Sequence, residues 1–428
     1  MSDLSDSPRP ASDRTGLALR IGLGAAFVHV FATMFWNGWP ADLSAVYFAA
    51  KSVATGNPGA IYAAPPDFFS PGTPAPWVAL AEGTGHGDKV ILPYLYPPLW
   101  AHLLAPLTEV VPPMAFFNTV LILHLAMLAA MPWIGWQIAR PAGLALRHWL
   151  PIGFLLLLTS APSLGAIIQN QPQIAVTFLV LLAALAARRD RPVSAGLLLA
   201  LAAALKLQPA LFGLVFLLTR NWRAAGAMAC AGGALLSLSL LLGGLDAHRD
   251  MLARLAEIDA MVVYTKVNYA LESLLYQISQ VLQGTPLPDG RAMAYPILDA
   301  PSWVQTVPKL LFAAGLLSLV LRARRFTGPR LWLALALLGA LFGPLSWGHY
   351  FVLPTMLLPA LFEDGARRTD RLWLAAFAIL FSFPLYSALI PFNEPLMVSQ
   401  IPPLLMLLGL TLHVLLPARA GSRAASPR

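Results

Sequence analysis

Polar side chains are sparse in this sequence, and a few stand where they could do chemistry. Asp42 follows the first long apolar run by a few residues. Lys206 sits at the tip between two short apolar segments, in Leu205-Lys206-Leu207-Gln208-Pro209. His349 caps a turn in Ser346-Trp347-Gly348-His349-Tyr350, and the amide cluster Gln169-Asn170-Gln171-Pro172-Gln173 separates two further apolar runs. A lysine at a lipid boundary suits the phosphate of a lipid headgroup, which it meets as a point charge. A carboxylate can take the proton from an attacking hydroxyl. A histidine can share that role or hydrogen-bond a departing phosphate. Amides such as Gln169, Gln171 and Gln208 suit sugar hydroxyls, and aromatics such as Tyr96 and Trp347 suit sugar ring faces. Taken together, these groups describe glycosyl transfer from a lipid-phosphate sugar to an acceptor hydroxyl.

Each group also has a purely structural reading. Asp42 can cap a helix beginning at Leu43. Lys206 can snorkel to the interface. The amide cluster can satisfy its own turn, and His349 can rest beside a tryptophan at the membrane boundary. Tyr94, Tyr96 and Trp100 fit an aromatic belt as readily as a sugar platform. His29, His102 and His124 lie in apolar runs without acidic partners and read as packed side chains, with no metal role.

The elements that must position these groups are transmembrane helices. Of 428 residues, 58% are hydrophobic and 11% charged, with a mean hydropathy of +0.68. Soluble domains carry about a quarter charged residues, so a cytosolic enzyme, a disordered chain and a coiled coil are excluded. Long apolar runs without alternation exclude an outer-membrane barrel. Cys230 is the single cysteine, which rules out an intramolecular disulfide.

Arginine clusters recur between the runs: Arg140 and Arg147; Arg188, Arg189 and Arg191; Arg220 and Arg223; Arg322, Arg324, Arg325 and Arg330; Arg367, Arg368 and Arg371. With the termini (Arg9, Arg14, Arg20, Arg419, Arg423, Arg428) they make up 20 of the 28 basic residues. The positive-inside rule places them in the cytoplasm. The formal net charge of +8 is therefore topological, and no nucleic-acid partner is expected. The remaining basic residues, every lysine among them, fall outside with most of the acidic ones. So do Asp42, the amide cluster, Lys206 and His349, and this agreement on one face favours chemistry over four separate structural roles.

The run Leu17–Gly38 reads as a retained first span, followed by a candidate interfacial helix, Ala41–Ala54, with Leu43, Val46, Tyr47 and Ala50 on one face. Pro97–Val111 is expected to be re-entrant or a half-span. Further spans read as Met114–Ile138, Leu150–Ile168, Pro172–Ala187, Pro192–Leu205, Leu207–Leu218, Trp222–Leu242, Leu310–Leu321, Leu331–Leu345, Tyr350–Phe362, Leu372–Ile390 and Leu396–Leu416. The expectation is an all-α polytopic membrane protein of about 12 crossings. Its membrane domain would occupy 17–416, with large external loops at about 40–96 and 243–308 and cytoplasmic tails at 1–16 and 417–428. A transporter or flippase of a lipid-linked glycan is the alternative, but it would break spans at corresponding places in two halves, and no internal repeat is visible.

Several motifs, in order, resemble glycosyltransferase family 87. They are Asp42-Leu43-Ser44-Ala45-Val46-Tyr47-Phe48-Ala49-Ala50-Lys51, Tyr96-Pro97-Pro98-Leu99-Trp100, Leu205-Lys206-Leu207-Gln208-Pro209-Ala210-Leu211 before Arg220-Asn221-Trp222-Arg223, and Ser346-Trp347-Gly348-His349-Tyr350. The resemblance spans about residues 20–365 and implies a GT-C fold with its active site facing the periplasm of a bacterial inner membrane. It implies inverting, metal-independent mannosyl transfer from a polyprenyl-phosphate donor to a lipid or glycan acceptor, with no cofactor. On this resemblance Asp42 is the general base, Lys206 a ligand of the donor phosphate, and Ser346, Trp347 and His349 the matching Ser-Trp-x-His segment. The chain departs at Gly348, at Tyr350 where a second histidine is frequent, and at Leu207 where a proline often follows the lysine.

Overall fold

The computed structural model describes residues 11–65, 72–288, 295–343 and 345–416. The expected tails, apart from 11–16, lie outside the described residues, as do Arg9, Arg291, Arg419, Arg423, Arg428 and the side chain of Arg14. The protein is an all-α membrane protein, with two short strands as the exception.

Helix α1 (Ala11–Phe35) ends where Asn37 turns left-handed, at φ 60°. Asn37 N–H donates to Asn118 Oδ1 (3.0 Å) and Asn118 Nδ2 to Asn37 Oδ1 (2.7 Å), which ties the exit of the first span to a later one. Helix α2 has the expected bounds, Ala41–Ala54, but it is not an interfacial helix with one apolar face. Every residue from Leu43 to Ala50 is buried. The reason is that α3 (Ala75–Gly83) and α4 (Pro98–Val110) pack against it. The 13 residues of α4 rise only about 20 Å, short of the roughly 30 Å hydrocarbon core. Tyr47 Oη donates to Val111 O (2.8 Å) and Lys51 Nζ to Thr108 O (2.9 Å), so α2 satisfies carbonyls at the end of α4 that have no partner within the helix.

Helix α5 (Pro113–Ala139) is a full-length span. Two of the expected spans are broken. Leu150–Ile168 becomes α6 (Leu146–Thr159) and α7 (Ala161–Ile168), interrupted at Ser160. Likewise Leu372–Ile390 becomes α16 (Arg368–Leu380) and α17 (Phe383–Leu389), interrupted at Ser382. Each serine caps the helix that follows it, and the two serines face each other in an antiparallel bridge.

Between them run α8 (Gln173–Arg188), α9 (Pro192–Leu205), a 3-10 turn (Gln208–Phe212), α10 (Gly213–Leu218) and α11 (Trp222–Asp259), which bends at Gly244 with φ 71°. The segment between α11 and the next long helix holds β1 (Val262–Tyr264), α12 (Leu271–Gln283) and β2 (Tyr295–Ile297), with Val262 opposite Ile297 in an antiparallel pair. Then follow α13 (Ser302–Arg322), α14 (Gly328–Leu341), a 3-10 turn (Gly348–Phe351), α15 (Val352–Leu357), the pair α16 and α17, and α18 (Ile401–Leu415). Helix α14 is apolar on all sides and buried nearly throughout, the signature of a central helix.

Two kinds of helix result. Gly16–Phe35, Pro113–Ala139, Trp222–Asp259 and Ser302–Arg325 are long and apolar enough to cross a bilayer alone. Helices α8, α9 and α14 have 16, 14 and 14 residues, which at 1.5 Å per residue is roughly 21–24 Å. Each of these short helices has one end at an arginine turn. Those turns gather at one end of the molecule: Gly143 N–H donates to Phe362 O (3.1 Å), Arg330 reaches Asp364 (3.9 Å), and the charges of Arg188 and Arg330 act on Glu363. The opposite ends of α8, α9 and α14 surround a cavity.

Candidate active site

That cavity has a volume of about 1110 Å³ and is lined by all eight residues read from the sequence as site candidates: Asp42, Tyr96, Gln169, Gln171, Lys206, Gln208, Trp347 and His349. They come from five chain segments far apart in sequence, and the fold brings them together.

Asp42 stands in the first turn of α2, after Pro40, and caps nothing with its side chain. Its carboxylate instead accepts a hydrogen bond from Gln171 Nε2, and its backbone N–H donates to Gln169 Oε1 (3.4 Å). Gln171 Oε1 accepts in turn from Tyr96 Oη (2.9 Å), so one amide joins the tyrosine to the aspartate. Asp42 opens onto the cavity but is ringed by protein. Loss of hydration therefore pushes its carboxyl up to about 6, while the Lys206 charge and the Gln171 hydrogen bond pull the other way.

The amide cluster is both a turn and a wall of the site. Asn170 is left-handed, at φ 45°, and spends its side chain on His124 Nδ1 (2.8 Å) and Phe117 O (2.9 Å). His124 is thus a packed side chain. Gln169 and Gln171, on either side of Asn170, turn toward the cavity.

Lys206 follows the end of α9 with extended backbone, φ −156° and ψ 133°. Trp100 Nε1 donates to Ala204 O (2.6 Å) and so satisfies one of the last carbonyls of α9. The Lys206 ammonium lies 4.2 Å from the centre of the Tyr350 ring, a cation–π contact. Tyr350, one of the three departures noted in the sequence, thus holds the lysine. Gln208 gives its Nε2–H to Gly339 O (2.7 Å), which moors the turn after Lys206 to α14.

His349 packs edge-on against Tyr350, with ring centres 4.8 Å apart, and its buried Nε2 has no hydrogen-bond partner among the described residues. Asn268 fixes the segment that carries it. Asn268 Oδ1 accepts from Ser346 N–H (2.8 Å), Nδ2 donates to Val263 O (2.9 Å), and its backbone pairs with Trp347. Gln400 Nε2 donates to Thr265 O (2.6 Å) and Asn268 O (2.7 Å) from the other side.

Of the aromatic set, only Tyr96 reaches the cavity. Tyr94 is a core side chain whose hydroxyl donates to Pro97 O (2.7 Å). Asn268, Gln400, Glu272 and Tyr386 are absent from the sequence reading. The signal available for Glu272 was its spacing, which puts it on one helical face with Tyr276 and Ser279, all three buried.

The cavity therefore combines a partly dehydrated carboxylate, a cation held on an aromatic face, an unpartnered histidine nitrogen and amide side chains, at the ends of short membrane helices. No solved structure matches the chain. It is similar to a polyprenol-phosphate-mannose-dependent alpha-(1-2)-phosphatidylinositol mannoside mannosyltransferase of Mycobacterium tuberculosis (strain ATCC 25618 / H37Rv). The two are 31% identical over 293 residues, covering 64% of this chain and 62% of that protein, so the chain spans less than two thirds of that relative. Residues 94–354 match glycosyltransferase family 87, a stretch that includes every one of the eight cavity residues except Asp42. With more than half of the chain matched, this protein belongs to glycosyltransferase family 87.

Proposed function

We propose that this membrane glycosyltransferase moves a mannosyl residue from a polyprenyl-phosphate donor to an acceptor hydroxyl with inversion, on the periplasmic side of a bacterial inner membrane. The observation that carries this reading is that Asp42 and Lys206, from separate segments, face one cavity and act on each other electrostatically. The mannosyltransferase relative supports mannose and the lipid-phosphate donor. The arginine turns at the far end support the orientation, through the positive-inside rule.

The acceptor oxygen forms a bond to the anomeric carbon of the donor sugar while the bond from that carbon to the phosphate oxygen breaks. The electron pair leaves with polyprenyl phosphate, and the acceptor proton passes to Asp42. Lys206 offsets the charge developing on the phosphate, and His349 Nε2 hydrogen-bonds it. Gln171 positions Asp42, and Gln208 positions the Lys206 turn. Tyr96, Gln169 and Trp347 remain to contact sugar. The scaffold for this chemistry is a GT-C-type bundle of about 12 crossings, in which the short helices hold the cavity below the outer membrane surface.

The test is transfer from labelled polyprenyl-phosphate-mannose to a lipid extract by purified enzyme in proteoliposomes. Wild type is expected to give a mannosylated lipid, and Asp42→Asn to lose about 10³-fold in rate with normal expression. Near wild-type transfer by Asp42→Asn, or use of GDP-mannose without the lipid donor, would sink the reading.

A further inference from the structure

The same cavity is also lined by polar groups of the segment between α11 and α13 and of α17 that the chemistry above leaves unused. Glu272, in the first turn of α12, is 3% exposed, and its Oε1 has no hydrogen-bond partner among the described residues. Tyr386 on α17 is 9% exposed, and its hydroxyl likewise has none. Both line the cavity, together with the ion pair Lys309–Asp259 (2.8 Å).

A glutamate in the first turn of a helix complements the helix dipole, but it does so equally well in solvent. Helix stability therefore gives no reason to bury this one. Native proteins rarely keep buried polar atoms without partners, and two of them lining one cavity point to a ligand. Burial pushes the Glu272 carboxyl up to about 8, with the Lys309 charge opposing and Asp259 adding to the rise. At neutral pH it therefore keeps its proton and both donates and accepts, as a sugar hydroxyl does. Lys309, the cation beside it, is already paired with Asp259, which disfavours a phosphate in this place.

We propose that Glu272 and the Tyr386 hydroxyl form the acceptor subsite and bind the hydroxyls of a sugar or polyol head group. This assignment rests on the glycosyl transfer proposed above, which requires an acceptor in the same cavity as Asp42.

The test is calorimetric titration of the protein in lipid nanodiscs with octyl α-D-mannoside below its micellar concentration. Wild type is expected to bind saturably. Glu272→Ala should weaken binding by about tenfold or more, whereas Glu272→Gln, whose amide also donates and accepts, should stay within about threefold. Tyr386→Phe removes one oxygen from the cavity lining and should weaken binding by about threefold or more, which keeps the test valid should Glu272→Ala fail to fold. The proposal falls if wild type shows no saturable binding, if Glu272→Ala binds like wild type, or if Glu272→Gln is as weak as Glu272→Ala. Normal mannoside binding without any consumption of polyprenyl-phosphate-mannose would instead overturn the transfer reading and leave the subsite standing.

Discussion

Asp42 is held by groups whose effects on its proton can be separated. Burial raises its affinity for the proton, while Gln171 and Lys206 lower it. A base must be deprotonated to act, so kcat/KM is expected to rise with pH through about 6 and level off above. Gln171→Leu removes a donor that favours the carboxylate, so this limb should move to higher pH; a limb that stays in place would show that Gln171 does not set the base. The stability consequence has the opposite direction. A carboxyl raised in the fold favours folding below its ordinary range, and that contribution is lost as pH rises through about 6. Asp42→Asn should therefore melt no lower than wild type at pH 8, which separates lost activity from unfolding. Each of these residues was legible singly, because a charge or amide beside an apolar run stands out. The Tyr96–Gln171–Asp42 link was not, since neither residue type nor spacing tells which partner a side chain meets. Tyr350 reads in sequence as a departure from a pattern; only the fold shows its ring beneath Lys206.

At the scale of elements, Lys206 is placed by how closely α9 approaches α11. A Cβ on Gly196 would lie 2.4 Å from Ala224 O, 2.7 Å from Met228 N and 2.8 Å from the Ala227 methyl, so α9 meets the backbone of α11 directly at this glycine. Gly196→Val should force the helices apart, cost about 1–3 kcal/mol and displace the Lys206 end of α9. We expect a lowered melting temperature with a raised KM for the donor lipid. An unchanged KM would mean that the turn, moored to α14 by Gln208, holds Lys206 independently. Helix bounds were largely legible from apolar runs and their flanking arginines, down to Ala41–Ala54 and Pro192–Leu205. The breaks in two spans were not, because hydropathy stays high across them. Their only local mark is a serine two residues before a proline, in Ser160-Ala161-Pro162 and Ser382-Phe383-Pro384. The strands β1 and β2 were missed for another reason: three residues each are too few to show alternation.

For the whole molecule, the arginine turns gather at one end and the polar candidates line one cavity at the other ends of the same short helices. Orientation in the cell can be read by thiol labelling. In a Cys230→Ala background, Glu257→Cys should react with a membrane-impermeant maleimide in intact spheroplasts, and Arg189→Cys only after lysis. Reversal of that pattern would place the cavity on the cytoplasmic side. The enclosure of Asp42 has a consequence beyond acidity. With Asp42 as base, every cycle leaves a proton on its carboxyl. Gln171 does not relieve it, because the contact to the carboxylate is an amide N–H, which takes up no proton. The proton has to pass into the same cavity that the glycosylated product occupies. Emptying the site and resetting the base are thus coupled, and a solvent deuterium effect on steady-state turnover should exceed that on a single turnover, which reports formation of the glycosidic bond alone.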